Sequence, residues 1–228
     1  ESLARTWERA AFIRARPVAG DLHVANRFLT QIQPFIWRRS LDYTVMDDMK
    51  RMLRRPPNNS SWLGYNLKIG NNGIRQIEFF THVLQLVAGG REHKLRQRQT
   101  VPALLALADF DWITPNQAKT LITAYNQLRR TEHRIQMLAD SQTHSLPRSQ
   151  SELVHFANFM GHAAPTDFCE ALAMVQHSIA ENAEHKILQS PAEDSSDNKP
   201  FLLDDYDSLV TWLSQNGFER PYDIADTL

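Results

Sequence analysis

Residues Lys68 to Phe80 read Lys-Ile-Gly-Asn-Asn-Gly-Ile-Arg-Gln-Ile-Glu-Phe-Phe, a Gly/Asn-rich turn with a lysine that passes straight into an amphipathic helix. Glycine and asparagine tolerate positive φ, so such a turn lets backbone N–H groups converge, and a helix start adds partial positive charge. Lys68 and Arg75 supply full charges, which makes Lys68, Gly70, Gly73 and Arg75 the candidate phosphate-binding set. The pattern matches neither the P-loop nor the dinucleotide fingerprint. A plain polar turn leading into a helix has the same local composition.

The helix after the turn carries a second group. Glu78, His82 and Gln85 fall at i, i+4 and i+7 and form one polar stripe beginning beside the turn. A Glu/His pair one helical turn apart can ligate a divalent cation, though two ligands need a third group to make a site. Glu78 and His82 are therefore the metal candidates, and Glu78 is also the candidate accessory catalytic group. The alternative is a stripe that faces solvent or a neighbouring helix.

Farther along, Arg129, Arg130, Glu132, His133 and Arg134 crowd one stretch of a long helix. Arg129 and His133 are one turn apart, as are Arg130 and Arg134, so these four form a candidate cationic face for phosphate or for a partner's acidic patch. The alternative is an ion-paired surface organised around Glu132. His144, in the loop Gln142–Pro147, belongs to a residue type that titrates near neutrality, but no Ser or Cys nucleophile is placed with it. Cys169 lies in an apolar helical pattern, so a hydrolytic triad has little support.

These groups sit on helices. Few glycines and no alternating Val/Ile/Thr runs between turn pairs point to an all-α helical bundle or array. The pattern predicts helices over about Trp7–Ala15, from Asp21 to the Trp37 region with a break at Pro34, over about Asp42–Arg55, Ile74–Ala88, from Thr114 onward, over about Gln150–Met160, and over about Thr166–Leu188. Thr114-Pro115-Asn116-Gln117 is a capping box with Pro at the first helical position. Ile77, Phe80, Leu84 and Val87, then Ala118, Leu121, Tyr125, Leu128, Ile135 and Leu138, then Phe168, Leu172, Val175 and Ile179 recur at helical spacing and are the expected core.

The chain, 228 residues long, is able to bury a core as one or two domains. One cysteine excludes an internal disulfide. With no apolar run of membrane-spanning length and no leader pattern, the expected location is the cytoplasm, without a membrane partner. Charge is uneven, basic over residues 1–60 and acidic over 190–228. A basic front half suits a polyanion, yet the aromatic stacking platform of a nucleic-acid surface is missing, so no nucleic-acid partner is expected.

Residues 68–80 closely resemble the KxGxGGIREIEF signature of the bifunctional enzymes that adenylylate and deadenylylate glutamine synthetase. Further matches follow in order: Gly89-Gly90-Arg91, Leu95-Arg96, Ala124-Tyr125, Leu128-Arg129-Arg130, Glu132-His133-Arg134 and Gln142-Thr143-His144-Ser145-Leu146-Pro147. Upstream, Thr6-Trp7-Glu8-Arg9, Arg14 to Asp21, Trp37-Arg38-Arg39 and Leu41-Asp42 extend the likeness. Asn72 stands where the family favours glycine and Gln76 where it favours glutamate. The arginine-rich form of the signature resembles the N-terminal, adenylyl-removing half.

The resemblance implies a nucleotidyltransferase using Mg²⁺ with ATP, ADP and phosphate, with glutamine synthetase as substrate protein, the PII signalling protein as partner and glutamine as effector. It implies a fragment adjoining a polymerase-β-like domain whose Gly-Ser and Asp-x-Asp would lie N-terminal to Glu1. Asp109-Phe110-Asp111 has the spacing without the Gly-Ser. The expected layout is residues 1–40 joining that catalytic core, 41–189 as the helical domain, 190–199 as an acidic linker and 200–228 opening a further helical region. A non-catalytic docking module for PII or glutamine synthetase, and a PII uridylyltransferase-like helical domain, are the other readings.

Overall fold

The chain divides into two compact units, Glu1–Leu188 and Gln189–Leu228. The computed structural model describes residues 6–38 and 61–184, all in the first unit. The expected helix at Asp42–Arg55, the linker at 190–199 and the region from 200 onward lie outside the described residues. Seven α-helices appear among them: α1 (Thr6–Phe12), α2 (Leu22–Ile36), α3 (Ile74–Ala88), α4 (Thr100–Asp109), α5 (Pro115–Ala139), α6 (Gln150–Met160) and α7 (Pro165–Ile179). A 3₁₀ turn covers His93–Leu95 and a π turn, Ala180–Glu184, continues α7. The described residues contain no strand, only an isolated antiparallel bridge between Asn66 and Ser145. None of these helices is long and apolar enough to cross a membrane.

The scaffold is α5, which packs against α3, α4, α6, α7 and the π turn. Its start is fixed as the sequence requires: Thr114 Oγ1 accepts from the Gln117 N–H at 3.1 Å and Gln117 Oε1 accepts from the Thr114 N–H at 3.0 Å. Leu121 and Leu128 are fully buried on the inner face, and Tyr125 between them is half-buried with its hydroxyl turned to a polar group. Against them stand Ile77 and Phe80 of α3, Leu104 and Leu107 of α4, and Leu172 and Ile179 of α7, all in one core. Core packing gathers helices whose own propensity would not hold them folded.

Several expectations need correction. Leu138 is 57% exposed, because α5 outruns the helices that cover its middle. Leu84 and Val87 are half-buried, while Val83 and Leu86 are buried in their place: α3 is covered on a broader arc than one stripe. Helix α2 passes through Pro34 and ends at Ile36, two residues beyond it; Pro34 has no N–H to give the Thr30 carbonyl, and the helix continues past that missing bond for less than a turn. Its start is the expected one, with Asp21 Oδ1 accepting from the N–H groups of His23 and Val24. α1 stops at Phe12, three residues early, where Ala15 N–H closes a turn on the Phe12 carbonyl.

Gly89 ends α3 in right-handed conformation (φ −68°, ψ −13°), so it is not a left-handed cap. A Cβ there would lie 2.8 Å from the Trp37 ring and 2.6 Å from the Gln85 carbonyl oxygen, and close approach is what demands glycine. Arg96 covers the other side of that contact. Its guanidinium sits over the Trp37 ring and its Nε donates to the Gly89 carbonyl at 2.7 Å.

Truncating Leu128 to alanine should cost about 2–5 kcal/mol in urea unfolding, the range for a fully buried leucine. Leu138→Ala should stay within about 0.5 kcal/mol, as an exposed position does. Equal costs at the two sites would overturn this account of which face of α5 is inside.

Candidate functional site

The Gly/Asn turn is closed on itself. The N–H groups of Lys68 and Ile69 donate to Asn66 Oδ1, both at 3.0 Å, and Gly70 N–H donates to the Asn66 carbonyl at 2.8 Å. Gly73, Ile74 and Arg75 donate to the carbonyls of Gly70, Leu67 and Lys68. These backbone donors are consumed internally, so the convergence of N–H groups expected from composition does not present them to a ligand. The glycines have a packing reason: a Cβ on Gly70 would meet the Tyr65 ring at 2.6 Å, and one on Gly73 the Leu67 carbonyl oxygen at 2.6 Å. Tyr65 donates its hydroxyl to the Asn71 carbonyl, which also accepts from Gln176 Nε2 at 3.1 Å. Burial pushes the Tyr65 phenol up to about 12.

Both departures from the signature keep the geometry. Asn72 has φ +53°, a left-handed conformation that asparagine, like aspartate, tolerates better than most residues with a side chain. Its N–H donates to Gln76 Oε1 at 2.9 Å, so the amide oxygen of Gln76 fills a position where a glutamate carboxylate would serve equally as acceptor. Lys68 is half-buried and Arg75 exposed, which leaves their side chains as the positive groups at this turn.

The loop 140–149 holds the turn from the other side. Leu67 N–H donates to the His144 carbonyl at 2.9 Å, Leu146 N–H to the Tyr65 carbonyl at 2.8 Å, and Gly64 N–H to the Pro147 carbonyl at 2.9 Å. Leu67 and Leu146 are buried beneath this short pairing. The His144 ring leads to the group that sequence reasoning undervalued. Its Nδ1 lies 2.6 Å from Glu132 Oε1, and the other carboxylate oxygen of Glu132 accepts from Arg129. Glu132 is 1% exposed. The ion-paired alternative is thus the observed one, but its centre is a buried carboxylate instead of a surface group. The signal available was Glu132 itself, the only acid in a run of bases.

The expected cationic face divides accordingly. Arg129 is committed to Glu132, and Arg134 donates to the Phe159 carbonyl at 3.0 Å with its guanidinium over the Phe159 ring, which ties α5 to the end of α6. Arg130 and His133 are exposed. They remain the part of the face open to a partner.

The α3 stripe meets other helices instead of solvent. Glu78 Oε1 accepts from Arg14 at 3.0 Å and from the Tyr125 hydroxyl at 3.2 Å, and the same Arg14 nitrogen donates to Thr100 Oγ1. Gln85 is buried and its Nε2 donates to the carbonyls of Leu95 and Gln97 at 2.7 and 2.8 Å. Burial, and secondarily the charge of Arg14, hold His82 down to about 4, so its imidazole is neutral at pH 7. No group of three His, Cys, Asp or Glu side chains that could hold a metal occurs among the described residues. The pair does not fit a Mg²⁺ site, because a cation would have to displace Arg14 from Glu78.

The family described as GlnD PII-uridylyltransferase matches residues 45–186. Among curated relatives, the bifunctional glutamine synthetase adenylyltransferase/adenylyl-removing enzyme of Rhizobium meliloti (strain 1021) is 41% identical over 100% of this chain and 24% of the relative. That of Xanthobacter autotrophicus (strain ATCC BAA-1158 / Py2) is 49% identical over 73% of this chain and 17% of its own length. That of Bradyrhizobium diazoefficiens (strain JCM 10833 / BCRC 13528 / IAM 13628 / NBRC 14792 / USDA 110) is 39% identical over 100% of this chain and 24% of its own. The chain thus spans about a quarter of the length of the relatives it matches over its whole extent.

Two outcomes are expected from this geometry. His82 has its folded pKa below the unfolded 6.5, so the unfolded chain binds more protons and stability falls as pH drops from about 6.5 toward 4. Replacing His82 by Gln should flatten that part of the stability–pH profile, by up to about 3 kcal/mol at its acid end; an unchanged profile would overturn the neutral assignment. In a double-mutant cycle, Glu132→Gln and His144→Ala should couple by about 0.5–3 kcal/mol. Strict additivity would mean that the 2.6 Å contact contributes nothing.

Proposed function

The chain belongs to the GlnD PII-uridylyltransferase family, and from that premise we propose that it is a helical part of a bifunctional enzyme controlling glutamine synthetase by adenylylation and deadenylylation. The finer reading is the deadenylylating half. There, orthophosphate attacks the phosphorus of an adenylyl-tyrosine, the tyrosine oxygen leaves and takes up a proton, and ADP is released. The observation that carries the reading is spatial. The two signature-like segments, Lys68–Phe80 and Gln142–Pro147, lie far apart in sequence, yet Tyr65 and Leu67, immediately before the first, pair with His144 and Leu146 of the second through the Leu67–His144 and Leu146–Tyr65 hydrogen bonds.

In this reading the Gly/Asn turn is a rigid mount and not an N–H cradle. Lys68 and Arg75 project charge from it toward the phosphates of ATP or ADP, or toward orthophosphate. Gly70 and Gly73 act by letting the turn close. Glu78 acts as a positioning residue between α1, α3 and α5. Two-metal phosphoryl chemistry needs paired carboxylates, and Glu78 and His82 do not supply them. We assign those to another part of the longer enzyme, with Mg²⁺, and derive no metal step from this chain. Residues 1–40 would join that part, 41–189 form the helical domain, 190–199 a linker and 200–228 the start of a further region. Glutamine synthetase is the proposed substrate protein, PII and glutamine the proposed regulators, and the cytoplasm the proposed location.

A second reading has an observation of its own. Arg130 and His133 are exposed beside the pinned Arg129 and Arg134, a surface suited to docking PII or glutamine synthetase with no part in catalysis. The family description also keeps a PII-uridylyltransferase type of helical domain in view; the relatives' names favour the first reading.

In the longer enzyme, Lys68→Ala and Arg75→Ala should each weaken nucleotide affinity by about 1.5–3 kcal/mol, the scale of a hydrogen bond to a charged group. The present chain, mixed with adenylylated glutamine synthetase, Mg²⁺ and orthophosphate, should release no ADP above background, while the longer enzyme should. Unchanged affinity in both variants would favour the docking module, and turnover by the chain alone would relocate the active site to the Glu78 region.

A further inference from the structure

Two consecutive residues of the loop 140–149 are tied to two consecutive turns of α5. Gln136 Nε2 donates to the Thr143 carbonyl at 3.1 Å, and one turn earlier Glu132 Oε1 lies 2.6 Å from His144 Nδ1. Facing a carboxylate, Nδ1 must carry the hydrogen, which fixes the tautomer of the ring. The other oxygen of Glu132 is taken by Arg129, so the carboxylate is held in place as well. His144 Nε2 makes no hydrogen bond to another described residue, and the side chain is 26% exposed. From His144 the restraint passes to the Gly/Asn turn through the main chain. The His144 carbonyl accepts the Leu67 N–H at 2.9 Å, the Leu67 carbonyl accepts the Ile74 N–H at 2.9 Å, and the Lys68 carbonyl accepts the Arg75 N–H at 3.0 Å. The start of the turn is thus held from one side by α5, by way of His144, and from the other by the first residues of α3.

We propose that His144 is a positioning residue for phosphate binding. Anchored by Glu132, it fixes the main chain from which Lys68 projects, so that a nucleotide phosphate or orthophosphate is held more tightly because of an imidazole that it does not touch. The role rests on the reading of Lys68 as a phosphate contact given above. A charged side chain bonds a ligand well only when its root is accurately placed, and the groups that support the root control that placement. An apolar contact between α5 and the loop would fill the same space without direction. A hydrogen bond of defined geometry sets where the His144 carbonyl points, and with it where the Leu67 N–H is received.

The test measures ADP affinity by calorimetry, and KM for orthophosphate with kcat, in the longer enzyme. His144→Asn puts an amide donor where Nδ1 stands and nothing at Nε2, whereas His144→Gln reaches the place of Nε2 and leaves that of Nδ1 empty. The asparagine variant should bind ADP within about twofold of the parent, while the glutamine and alanine variants should weaken ADP and raise KM for orthophosphate by about tenfold, with kcat much less affected. In a Lys68→Ala background, His144→Ala should weaken binding no further, since it acts through Lys68. In the present chain, the Leu67 amide should lose hydrogen-exchange protection in the glutamine and alanine variants and keep it in the asparagine variant. Should the alanine variant fail to fold, the asparagine and glutamine pair carries the test. The reverse order, glutamine retained and asparagine impaired, would overturn the proposal in favour of a direct contact from Nε2. Full additivity with Lys68→Ala, or parental affinity in every His144 variant while Lys68→Ala is impaired, would overturn it and leave the phosphate reading standing. If Lys68→Ala itself binds as the parent does, the phosphate reading falls and the positioning role falls with it.

Discussion

A carboxylate that is almost wholly excluded from water must be matched within the protein, and Glu132 imposes that requirement on the centre of α5. Arg129, one turn earlier on the same helix, takes one oxygen; His144, from a loop beyond the helix, takes the other. The second partner matters more for the architecture. Once His144 is drawn to α5, its own carbonyl is placed to receive the Leu67 N–H, and the neighbouring Leu146 N–H reaches Tyr65. Two irregular segments thereby exchange backbone hydrogen bonds that each would otherwise have to find in water. The Gly/Asn turn, closed on itself by Asn66 and its own carbonyls, is anchored to α5 through this chain of contacts.

The turn itself shows how little a local composition says about what a backbone will donate to. Asn66 bends its side chain back to take two N–H groups, and the following carbonyls take the rest. A loop that spends its donors internally is stiff, and stiffness is useful where two charged side chains must be presented at a fixed angle to a ligand. The Asn72 and Gln76 departures fit the same logic. Left-handed backbone is kept by a residue that tolerates it, and the acceptor is kept by an amide that cannot ionise. The turn in this chain is therefore insensitive to protonation at position 76.

Arg14 plays a corresponding role at the opposite side of α3. It brings the segment that follows α1 to Glu78 and Thr100, while Tyr125 reaches Glu78 from α5. With Arg14 39% exposed at the side chain, solvent screens the ion pair and its share of stability is small. Its consequence is positional. A carboxylate fixed between a guanidinium and a phenol in one place, and a half-buried neutral imidazole one turn farther on, define a polar seam that joins the segment after α1 to α3, α4 and α5.

The sequence by itself determined the helical class, the start of α5 at its capping box, the bounds of α3 and α6, and most of the core, because these depend on spacings and caps that act over a few residues. The family signature was likewise legible in Lys68–Phe80 and Gln142–Pro147. Tertiary structure alone decided what those residues do. Whether Glu78 faced a metal or Arg14 depended on partners 47 and 64 positions away, and the matching of Glu132 in the core depended on the loop that brings His144; the turn's N–H groups were taken by Asn66 and by the turn's own carbonyls. The incomplete burial of Leu84 and the exposure of Leu138 were decided in the same way, by packing between elements. Helical periodicity records which residues share a face; it carries no record of what that face meets, since that is set by packing between elements distant in the chain.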